Sequence, residues 1–464
     1  MIPFVNLANP LPTTPGTGLT EGQEAALTTA TRRQPVASIA ALKALTPSAG
    51  DAVNTLGYYA AGDGGGGTFY YDAAAADADN GGTIIAPTAG GGRWLRAYSG
   101  AVNVKWFGAK GDAVYNTGNN RVSGGTSDSA AFAAAFAASK SLYVPPGVYR
   151  LTETLWNKGS LVGESSKDTF LFFDAIAGDG IKFSDGVWGV GATVDYQVLK
   201  NFTIKGSLTG DYRVAVRVEN TRSSIVDNII LHMNNVTPAC WVGFGFSDCW
   251  GCTFSNLSTW GTAFGTDGIG FLLGKSYNAN NASNWYTSNL NFQASIADDV
   301  DLRVFPAASG HGNNFDMMTL QGGRYGIWLR GTIRGCQWNS LYTENVVTPI
   351  SLGKSGAGAN VSYNHTFVGG DIGGPLPTHP RYSERIACIH LEYARHCQFI
   401  NLYFDAVYGT PPTLWACWMN SVINCRFDGC KTKLGLSSLT ETIVRSVGGG
   451  GGNKIMITGD YKDA

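Results

Sequence analysis

The stretch LYVPPGVYRL, residues 142–151, carries the clearest structural signal in the sequence. Strand-forming residues occupy positions 143–144 and 148–151, and a Pro-Pro-Gly turn at 145–147 separates them. Proline fixes its backbone angle, and glycine accepts conformations that other residues avoid, so the turn is rigid and tight. The stretch therefore predicts two short strands joined by a sharp bend.

An alanine-rich segment, SDSAAFAAAFAAS at 127–139, comes directly before this stretch. Ser127 or Asp128 can cap a helix there, and the alanines favour a helical backbone. Phe132 and Phe136 lie one turn apart and give the helix an apolar face. We predict a helix whose apolar face packs against another apolar surface of the protein.

Further upstream, VKWFGAKGD at 104–112 is superficially similar to a phosphate-binding loop. Such a loop needs a lysine followed by Ser or Thr, so that the hydroxyl reaches the phosphate-bound magnesium. Here Lys110 is followed by Gly111 and Asp112, and a carboxylate would repel phosphate. The segment therefore has another purpose, and its glycines serve backbone geometry.

The composition of the 464 residues indicates many short strands and tight turns, since 62 residues are glycine and only 14% are charged. The formal net charge of −1 gives no reason to expect nucleic acid or an anionic membrane as a partner. No run of apolar residues is long enough to span a membrane. The N-terminus has neither the basic nor the apolar region of a secretory signal, so we expect none.

Nine cysteines occur, mostly inside apolar runs, which indicates small buried residues in a chain made in a reducing cytoplasm. The CWGC segment at 249–252 is a lone CxxC motif. A zinc site would need a second pair at a suitable spacing. No calcium-ligand cluster stands out either, so we expect no metal and no cofactor.

From about residue 199 the sequence repeats a strand pattern, from LKNFTIKG at 199–206 to NSVINCRFDGC at 420–430. Copies follow each other at roughly 22–34 residues, and Asn or Gly often lies at a bend within the copy. Long helices between the strands are missing, which excludes leucine-rich, TPR and Rossmann folds. Propeller blades would need about 40 residues each. The remaining architecture is all-β, a parallel β-helix in which each coil stacks on the next.

In their order along the chain, VKWFGAKGD, the helix beginning at Ser127–Asp128 and LYVPPGVYRL resemble the opening of pectate-lyase-like right-handed β-helix proteins. The resemblance implies that the first segment enters the β-helix, that the alanine-rich helix caps its open end and that the Pro-Pro-Gly turn lies in the first coil. The family's segment usually runs Gly-Asp-Gly, followed by a helix start similar to Thr-Asp-Asp-Thr. This chain has a longer insertion and a single aspartate, which argues against a metal site at Asp128.

Residues 50–100 alternate aromatic strands with glycine turns and resemble the segment ahead of the β-helix in bacteriophage tailspikes and capsule depolymerases. The resemblance implies a virion protein that is made in the bacterial cytoplasm, attaches to the phage tail or baseplate through its N-terminal region and forms a homotrimer. It also implies a bacterial surface polysaccharide as substrate, namely capsule, O-antigen or exopolysaccharide.

We therefore expect four regions. Residues 1–35 form an extended segment and a short neck helix for virion attachment or trimer contact. Residues 36–100 form a small adaptor module, residues 101–435 form the β-helix that binds and cleaves glycan, and residues 436–464 form a short tail.

Glycoside hydrolysis needs two carboxylates, and stacked coils lie about 4.8 Å apart. Aligning successive coils on an apolar strand residue places Glu344, Asp371 and Asp405 three residues later, in a common register. Neighbouring acids would then lie about 5 Å apart and the outer pair about 10 Å apart. These spacings bracket those of retaining and inverting enzymes, so the three acids are the predicted catalytic residues. The aligned apolar residues are Leu341, Val368 and Leu402.

Several further residues are candidates for substrate binding, because aromatic faces stack on sugar rings and a cation attracts an acidic sugar. Histidines and arginines keep a polysaccharide lyase open as an alternative, and a tail protein that binds glycan without cleaving it is another. If the three acids are structural, the acids at 298–301 or a groove between chains come next. The predicted substrate-binding residues are Trp260, Arg324, Trp328, Tyr342 and Tyr403.

Overall fold

The computed structural model of the chain confirms an all-β architecture of stacked parallel coils, with a small separate sheet at its start. Apart from one hairpin at 114–123, the described strands between residues 102 and 462 form one ladder, in which successive coils pair with one another. In the described part of the chain, no helix is long and apolar enough to cross a membrane. The structure describes residues 31–32, 34–119, 121–183, 195–209, 213–232, 242–259, 269–273, 285–288, 291–293, 296–298, 301–304, 308–311, 313–321, 325–329, 332–353, 362–374, 387–404, 415–432, 443–445, 454–458 and 461–462.

The N-terminal module is a small sheet covered by helix α1, Ile39–Ala44. The helix begins after Ser38, whose hydroxyl accepts a hydrogen bond from the Ala41 N–H at 3.2 Å. Ile39 and Leu42 are buried against the sheet and anchor the helix to it. The strands of the module are Thr31–Arg32, Asp51–Thr55, Gly67–Asp72, Ile84–Ile85 and Arg93–Arg96.

The neck helix predicted from the sequence is corrected at its C-terminal end. Thr31–Arg32 is a strand that pairs in parallel with Asp51 and Ala52 of the module. Its backbone donors and acceptors are therefore used by a sheet and not by a helix. The preceding part of the expected N-terminal region, residues 1–30, lies outside the described residues.

A buried arginine joins the module to the start of the ladder. Arg96 donates to the carbonyl oxygens of Gly65, Gly66 and Gly82 at 2.8–3.0 Å. Its guanidinium lies 4.5 Å from the ring centre of Phe69 and 4.7 Å from that of Trp106. Phe69 belongs to the module and Trp106 to the 3-10 helix Val104–Phe107, so cation–π contacts hold the two parts together. Burial lowers the pKa of Arg96 to about 9.

The backbone of the segment VKWFGAKGD binds the buried carboxylate of Asp128. This contact explains why the segment needs glycine at Gly111. Asp128 is only 1% exposed and accepts hydrogen bonds from the backbone N–H of Lys110 at 2.6 Å and of Gly111 at 3.2 Å. Asp128 precedes helix α2, Ser129–Ala138, which is the predicted capping helix. Because the carboxylate bonds to the opening segment, it makes no cap bond to its own helix, contrary to the sequence-based interpretation. The bonds instead fix the opening segment to the cap.

This buried carboxylate makes stability depend on pH. Burial raises the pKa of Asp128 from 3.8 to about 6; its backbone donors oppose that rise, and nearby Asp112 adds to it. Since the folded state then binds the proton more tightly than the unfolded chain does, the stabilisation is complete below pH 4 and is lost as the pH rises through 6. We expect the thermal midpoint of the wild type, relative to Asp128→Asn, to be higher at pH 4 than at pH 7. A difference that stays constant with pH would contradict this, and Asp77→Asn on the module surface is the control.

Each coil presents three faces, here named A, B and C in chain order. Face A comes first, and several of its strands continue past a bend into face B. Inward-pointing side chains of successive coils lie above one another because the strands pair in register and in parallel. The strands of face A, with those that continue into face B, are Val102–Asn103, Ser141–Val144, Ser160–Gly163, Val198–Leu208, Ile225–His232, Thr253–Thr259, Asn291–Gln293, Asn314–Asp316, Gln337–Glu344, Thr366–Ile372, Gln398–Phe404, Ile423–Asp428 and Lys454–Thr458.

Face B and face C complete the coil. Face B carries the candidate site, and face C returns the chain to the next coil. The remaining strands of face B are Gly147–Leu151, Thr169–Ile176, Ile296–Asp298, Thr319–Gln321, Lys431–Thr432 and Tyr461–Lys462. The strands of face C and its short extensions are Leu155–Asn157, Ile181–Phe183, Val214–Arg222, Val242–Trp250, Ile269–Leu273, Trp285–Ser288, Asp301–Val304, Ala308–His311, Tyr325–Leu329, Thr332–Arg334, Thr348–Leu352, Ser362–Tyr363, Ala387–Glu392, Ala394–Arg395, Trp415–Asn420 and Ile443–Arg445.

The bend between face A and face B explains the recurring Asn and Gly of the repeat. In several of the described coils a residue adopts a positive φ there, for example 65° at Asn201, 52° at Asn401 and 61° at Gly429. Asparagine and glycine tolerate this left-handed conformation better than other residues do. The Nδ2 of Asn228 also donates to the Oδ1 of Asn201 on the preceding coil at 3.0 Å. The sequence prediction of Asn or Gly at the bend is confirmed.

Two features of the ladder differ from the expected regions. Pairing continues past the expected end at about residue 435, because Lys454–Thr458 pairs with the strand from Ile423 and Tyr461–Lys462 pairs with Lys431–Thr432. The insertion after VKWFGAKGD forms a hairpin, Val114–Asn116 with Arg121–Ser123. The ring of Tyr115 lies 4.5 Å from the Lys205 ammonium, so the hairpin covers the first coils of face B.

Aromatic rings stack through the interior of face A. Phe315 and Trp338 are 3.8 Å apart between ring centres, and Phe367 follows at 5.6 Å from Trp338. Phe399 and Phe427 continue the stack at 5.1 and 4.7 Å. Parallel pairing in register places the same position of every coil on one line, which is why the rings meet face to face. The stacked rings are part of the continuous buried core of the β-helix.

Candidate functional site

The candidate site lies on the outer surface of face B, in the coils that follow residue 318. Along the strand Gln337–Glu344, Leu341 and Thr343 are buried while Tyr342 and Glu344 are exposed. The strand pairing then places one outward position of each coil on a line parallel to the axis of the β-helix. We call this line the face B column, and its members are Thr319, Tyr342, Asp371, Tyr403 and Lys431.

The pairing corrects the predicted register of the three acids. Asp371 lies opposite Tyr342 and Tyr403, whereas Glu344 is two residues further along its strand. Glu344 and Asp371 therefore do not share a register. Asp405, the third predicted acid, lies outside the described residues.

The predicted register is wrong because Val368 does not align with Leu341. Val368 is 36% exposed and precedes the bend, opposite Asn339, and the residue that pairs with Leu341 is Gly370. Gly370 has φ +135°, and a Cβ there would lie 2.3 Å from the carbonyl oxygen of Leu341. Glycine is therefore required for the two strands to approach. An apolar residue was a poor marker of the inward position in this coil.

A hydrogen-bond network holds Glu344. Its Oε2 accepts from the Nε2 of Gln321 at 2.8 Å and from the hydroxyl of Tyr342 at 3.3 Å. Gln321 lies opposite Glu344 on the preceding coil, and Tyr342 is two residues back on the same strand. Two donors on one oxygen fix the direction of the carboxylate. Sequence reasoning missed Gln321, although its place in the repeat, one coil before the acid, could have indicated it.

Glu344 and Asp371 form a diagonal pair across neighbouring strands. One coil step of about 4.8 Å and two residues along the strand of about 3.3 Å each separate their Cα atoms by roughly 8 Å. This is longer than the 5 Å expected from a shared register. Both residues lie on the outward side of face B, where Glu344 is exposed and Asp371 is half-buried.

The structure brings part of the predicted binding set together. Tyr342 and Tyr403 lie on the coils either side of Asp371, in the face B column. Trp328 lies in face C, opposite Arg303 and Ser351, and is not part of this surface. The remaining predicted binding residues, Trp260 and Arg324, lie outside the described residues.

Two further acids, Asp316 and Asp298, lie on coils near the candidate site. Asp316 accepts from the Nδ2 of Asn339 on the next coil at 2.6 Å and from that of Asn314 on its own strand at 2.9 Å, so the first bond ties two coils of face A together. Its role is structural. Asp298 lies opposite Gln321, which in turn lies opposite Glu344, so Asp298 is two coils away from Glu344 in the same register.

The thiols of the CWGC motif are engaged by backbone carbonyl oxygens. The thiol of Cys249 donates to the carbonyl of Val218, and that of Cys252 to the carbonyl of Thr221. Among the described residues, no three His, Cys, Asp or Glu side chains are grouped as a metal site would require. On the first coils, burial lowers the pKa of Lys205 to about 8 and that of His232 to about 4. These groups lie at the part of face B that the hairpin covers.

The comparison with protein families matches one part of the chain. Residues 35–99 match the family model of the phage tail protein small four-stranded beta-sheet domain. Within that range the module contributes four strands, which agrees with the family's description. No curated protein matches the sequence.

Solved structures with similar coordinates include phage tailspikes and a glucanase. The gp42 tailspike of Acinetobacter phage vb_AbaP_AS12 has 12% identity and a TM-score of 0.49, over 84% of this chain and 74% of that one. The tailspike gp49 of Acinetobacter baumannii bacteriophage Fri1, a capsular polysaccharide depolymerase, has 14% identity and a TM-score of 0.45, over 92% and 75% of the two chains. The GH87 α-1,3-glucanase of Streptomyces thermodiastaticus has 12% identity and a TM-score of 0.48, over 81% and 73%.

Identities of 12–14% with TM-scores below 0.5 are too low to transfer an activity to this chain. The family match is the firmer finding, because it rests on sequence and on residues that the structure resolves into the expected strands. The chain thus carries a module similar to a phage tail protein domain ahead of a parallel β-helix.

Proposed function

We propose that this chain is a phage tailspike that depolymerises a bacterial surface polysaccharide by glycoside hydrolysis. The observation that carries the proposal is the diagonal pair Glu344 and Asp371 on the outside of face B, bordered by Tyr342 and Tyr403. Carboxylate pairs between aromatic rings provide what sugar hydrolysis needs, namely two acid–base groups and surfaces for the sugar rings. The phage tail module supports the placement of the protein on a virion.

The separation of the pair favours inversion. Carboxyl groups of inverting glycosidases lie about 6.5–9.5 Å apart, which leaves room for a water molecule, whereas those of retaining enzymes lie about 5–5.5 Å apart. Cα atoms roughly 8 Å apart leave room for the two carboxyl groups to take a separation in the first range when both face the same sugar chain. This replaces the expectation, drawn from a shared register, that Asp371 would work with a neighbour by retention.

The environment of each acid suggests its role. Glu344 is held in one direction by Gln321 and Tyr342, which suits a general base that must keep a water molecule in line with the anomeric carbon. Asp371 lies between the strands of the two tyrosines, where the glycosidic oxygen of a sugar chain bridging the rings would lie. Asp371 is therefore the general acid, and Glu344 the base.

The test is an activity screen on purified capsular polysaccharides, O-antigens and exopolysaccharides. We expect at least one polymer to lose viscosity and to yield new reducing ends without the ultraviolet absorbance of an unsaturated sugar. An unsaturated product would instead show a lyase, and tight binding without any cleavage would show a glycan-binding tail protein. Either result would contradict hydrolysis by the carboxylate pair.

The same proposal includes a homotrimer. Outer faces of a long β-helix offer large surfaces for self-association, and interfaces of that size are usually obligate. We expect light scattering to give a mass three times that of the 49.1 kDa chain at micromolar concentration. The mass of a single chain would exclude the trimer but leave the site on face B standing.

A further inference from the structure

Tyrosines alternate with charged residues along the face B column. Tyr342, Asp371, Tyr403 and Lys431 occupy successive coils, and each pairs with the next. With coils about 4.8 Å apart, the strands of the two tyrosines are separated by about 10 Å. Tyr342 is 39% exposed and Lys431 is exposed, so the surface is open to a ligand at both ends of this run.

This alternation defines the direction in which a sugar chain would bind. A chain laid along one strand would meet Tyr342 and Glu344 but would never reach Tyr403, which belongs to another coil. A chain laid parallel to the axis meets both tyrosines. Because a pyranose unit in an extended chain is about as long as one coil step, every second sugar would lie on a tyrosine and the sugar between them would lie at Asp371.

The next position along this line is a cation. Lys431 lies one coil beyond Tyr403 in the face B column and is exposed. A negatively charged glycan would be repelled by Glu344 and Asp371 unless a positive group lay within the same binding surface. A lysine two coils from Asp371 supplies such a group without neutralising the catalytic acids.

From these positions, and on the basis of the proposed function, we infer that the substrate is an acidic polysaccharide bound parallel to the axis of the β-helix. Its anionic substituent, a carboxylate or a phosphate, lies at Lys431, two sugars from the sugar at Asp371. Lysine recognises either anion as a point charge. The specificity for charge thus lies outside the carboxylate pair that cleaves the chain.

The test uses the polysaccharide cleaved in the screen in three forms: native, carboxyl-reduced with carbodiimide and borohydride, and dephosphorylated with hydrofluoric acid. The variant is Lys431→Met, and the matched control is Lys167→Met, on an exposed lysine of the turn at 165–168. On the native polymer we expect Lys431→Met to raise KM about tenfold, an effect larger than its effect on kcat. Lys167→Met should leave KM unchanged.

The carboxyl-reduced and dephosphorylated polymers then show whether Lys431 recognises a charge on the glycan or only packs against it. Whichever treatment removes the recognised anion should raise the KM of the wild type to that of Lys431→Met, and the variant should add nothing further. Added salt should raise the wild-type KM on the native polymer only.

The outcomes distinguish this inference from the proposed function. A cleaved polymer that is neutral, an unchanged KM for Lys431→Met, or an equal rise on native and charge-free polymers would overturn the inference while hydrolysis stands. A screen in which no polymer is cleaved or bound would overturn both.

Discussion

Replacement of Glu344 by glutamine is expected to lower kcat on the cleaved polysaccharide by at least about 10²-fold, because a general base contributes about that much to the rate. Glutamine keeps the shape of the side chain and can still bond to Gln321 and Tyr342, but it cannot take a proton. Asp371→Asn should cause a loss of similar size by removing the general acid. Glycan binding should persist in both variants.

Matched controls show whether the loss of turnover is specific to Glu344 and Asp371 or follows from removing any exposed carboxylate. Glu153→Gln and Asp77→Asn change exposed acids away from face B and should leave turnover unchanged. If Glu344→Gln and Asp371→Asn both retain near-native turnover, the face B pair is structural. The neighbouring candidate would then be Asp298, which shares the register of Glu344.

Removal of the tryptophan ring from the aromatic stack of face A should have a large effect on the stability of the fold. Trp338 is fully buried between Phe315 at 3.8 Å and Phe367 at 5.6 Å, in the face A strand that continues into Glu344. Trp338→Ala should lower the free energy of unfolding by about 3–5 kcal/mol, because it deletes an aromatic side chain from a packed core. Trp338→Phe is the matched control, since phenylalanine occupies this position on both neighbouring coils.

Unfolding rates are the appropriate measurement, because large repetitive proteins often unfold irreversibly. Trp338→Ala should shorten the half-life at elevated temperature by orders of magnitude, while Trp338→Phe should stay close to the wild type. Phenylalanine also removes the indole N–H, whose nitrogen has no hydrogen-bond partner among the described residues. Equal half-lives for Trp338→Ala and the wild type would mean that the stack contributes little.

The sequence predicted the fold because its signals are local and repeated. LYVPPGVYRL forms the predicted strands, Ser141–Val144 and Gly147–Leu151, on either side of its turn. Each coil repeats the alternation of buried and exposed residues, so errors in one copy do not hide the pattern. The bend residues such as Asn201 and Asn401 were visible as well, since few residues other than glycine and asparagine accept a positive φ.

The site was only partly predictable, because it depends on register between coils. The sequence alignment paired Leu341 with Val368, whereas the structure pairs it with Gly370, two residues later. The same side of the strand stays outward, but Asp371 lies opposite Tyr342 and not opposite Glu344. Nothing local in the sequence marks that shift, since it is set by the close approach of Gly370 to the Leu341 carbonyl. Gln321 and Lys431 were missed for the same reason, as their relevance lies in what they face on neighbouring coils.

The most direct measurement of the central claim is proton NMR of the reducing end as it forms on the cleaved polysaccharide. Two carboxylates whose Cα atoms lie roughly 8 Å apart, with water between the carboxyl groups, predict that the first anomer to appear is opposite in configuration to the cleaved linkage. The other anomer should grow in only later, through mutarotation. A first-formed anomer with the configuration of the linkage, or signals of an unsaturated sugar, would contradict inverting hydrolysis by Glu344 and Asp371.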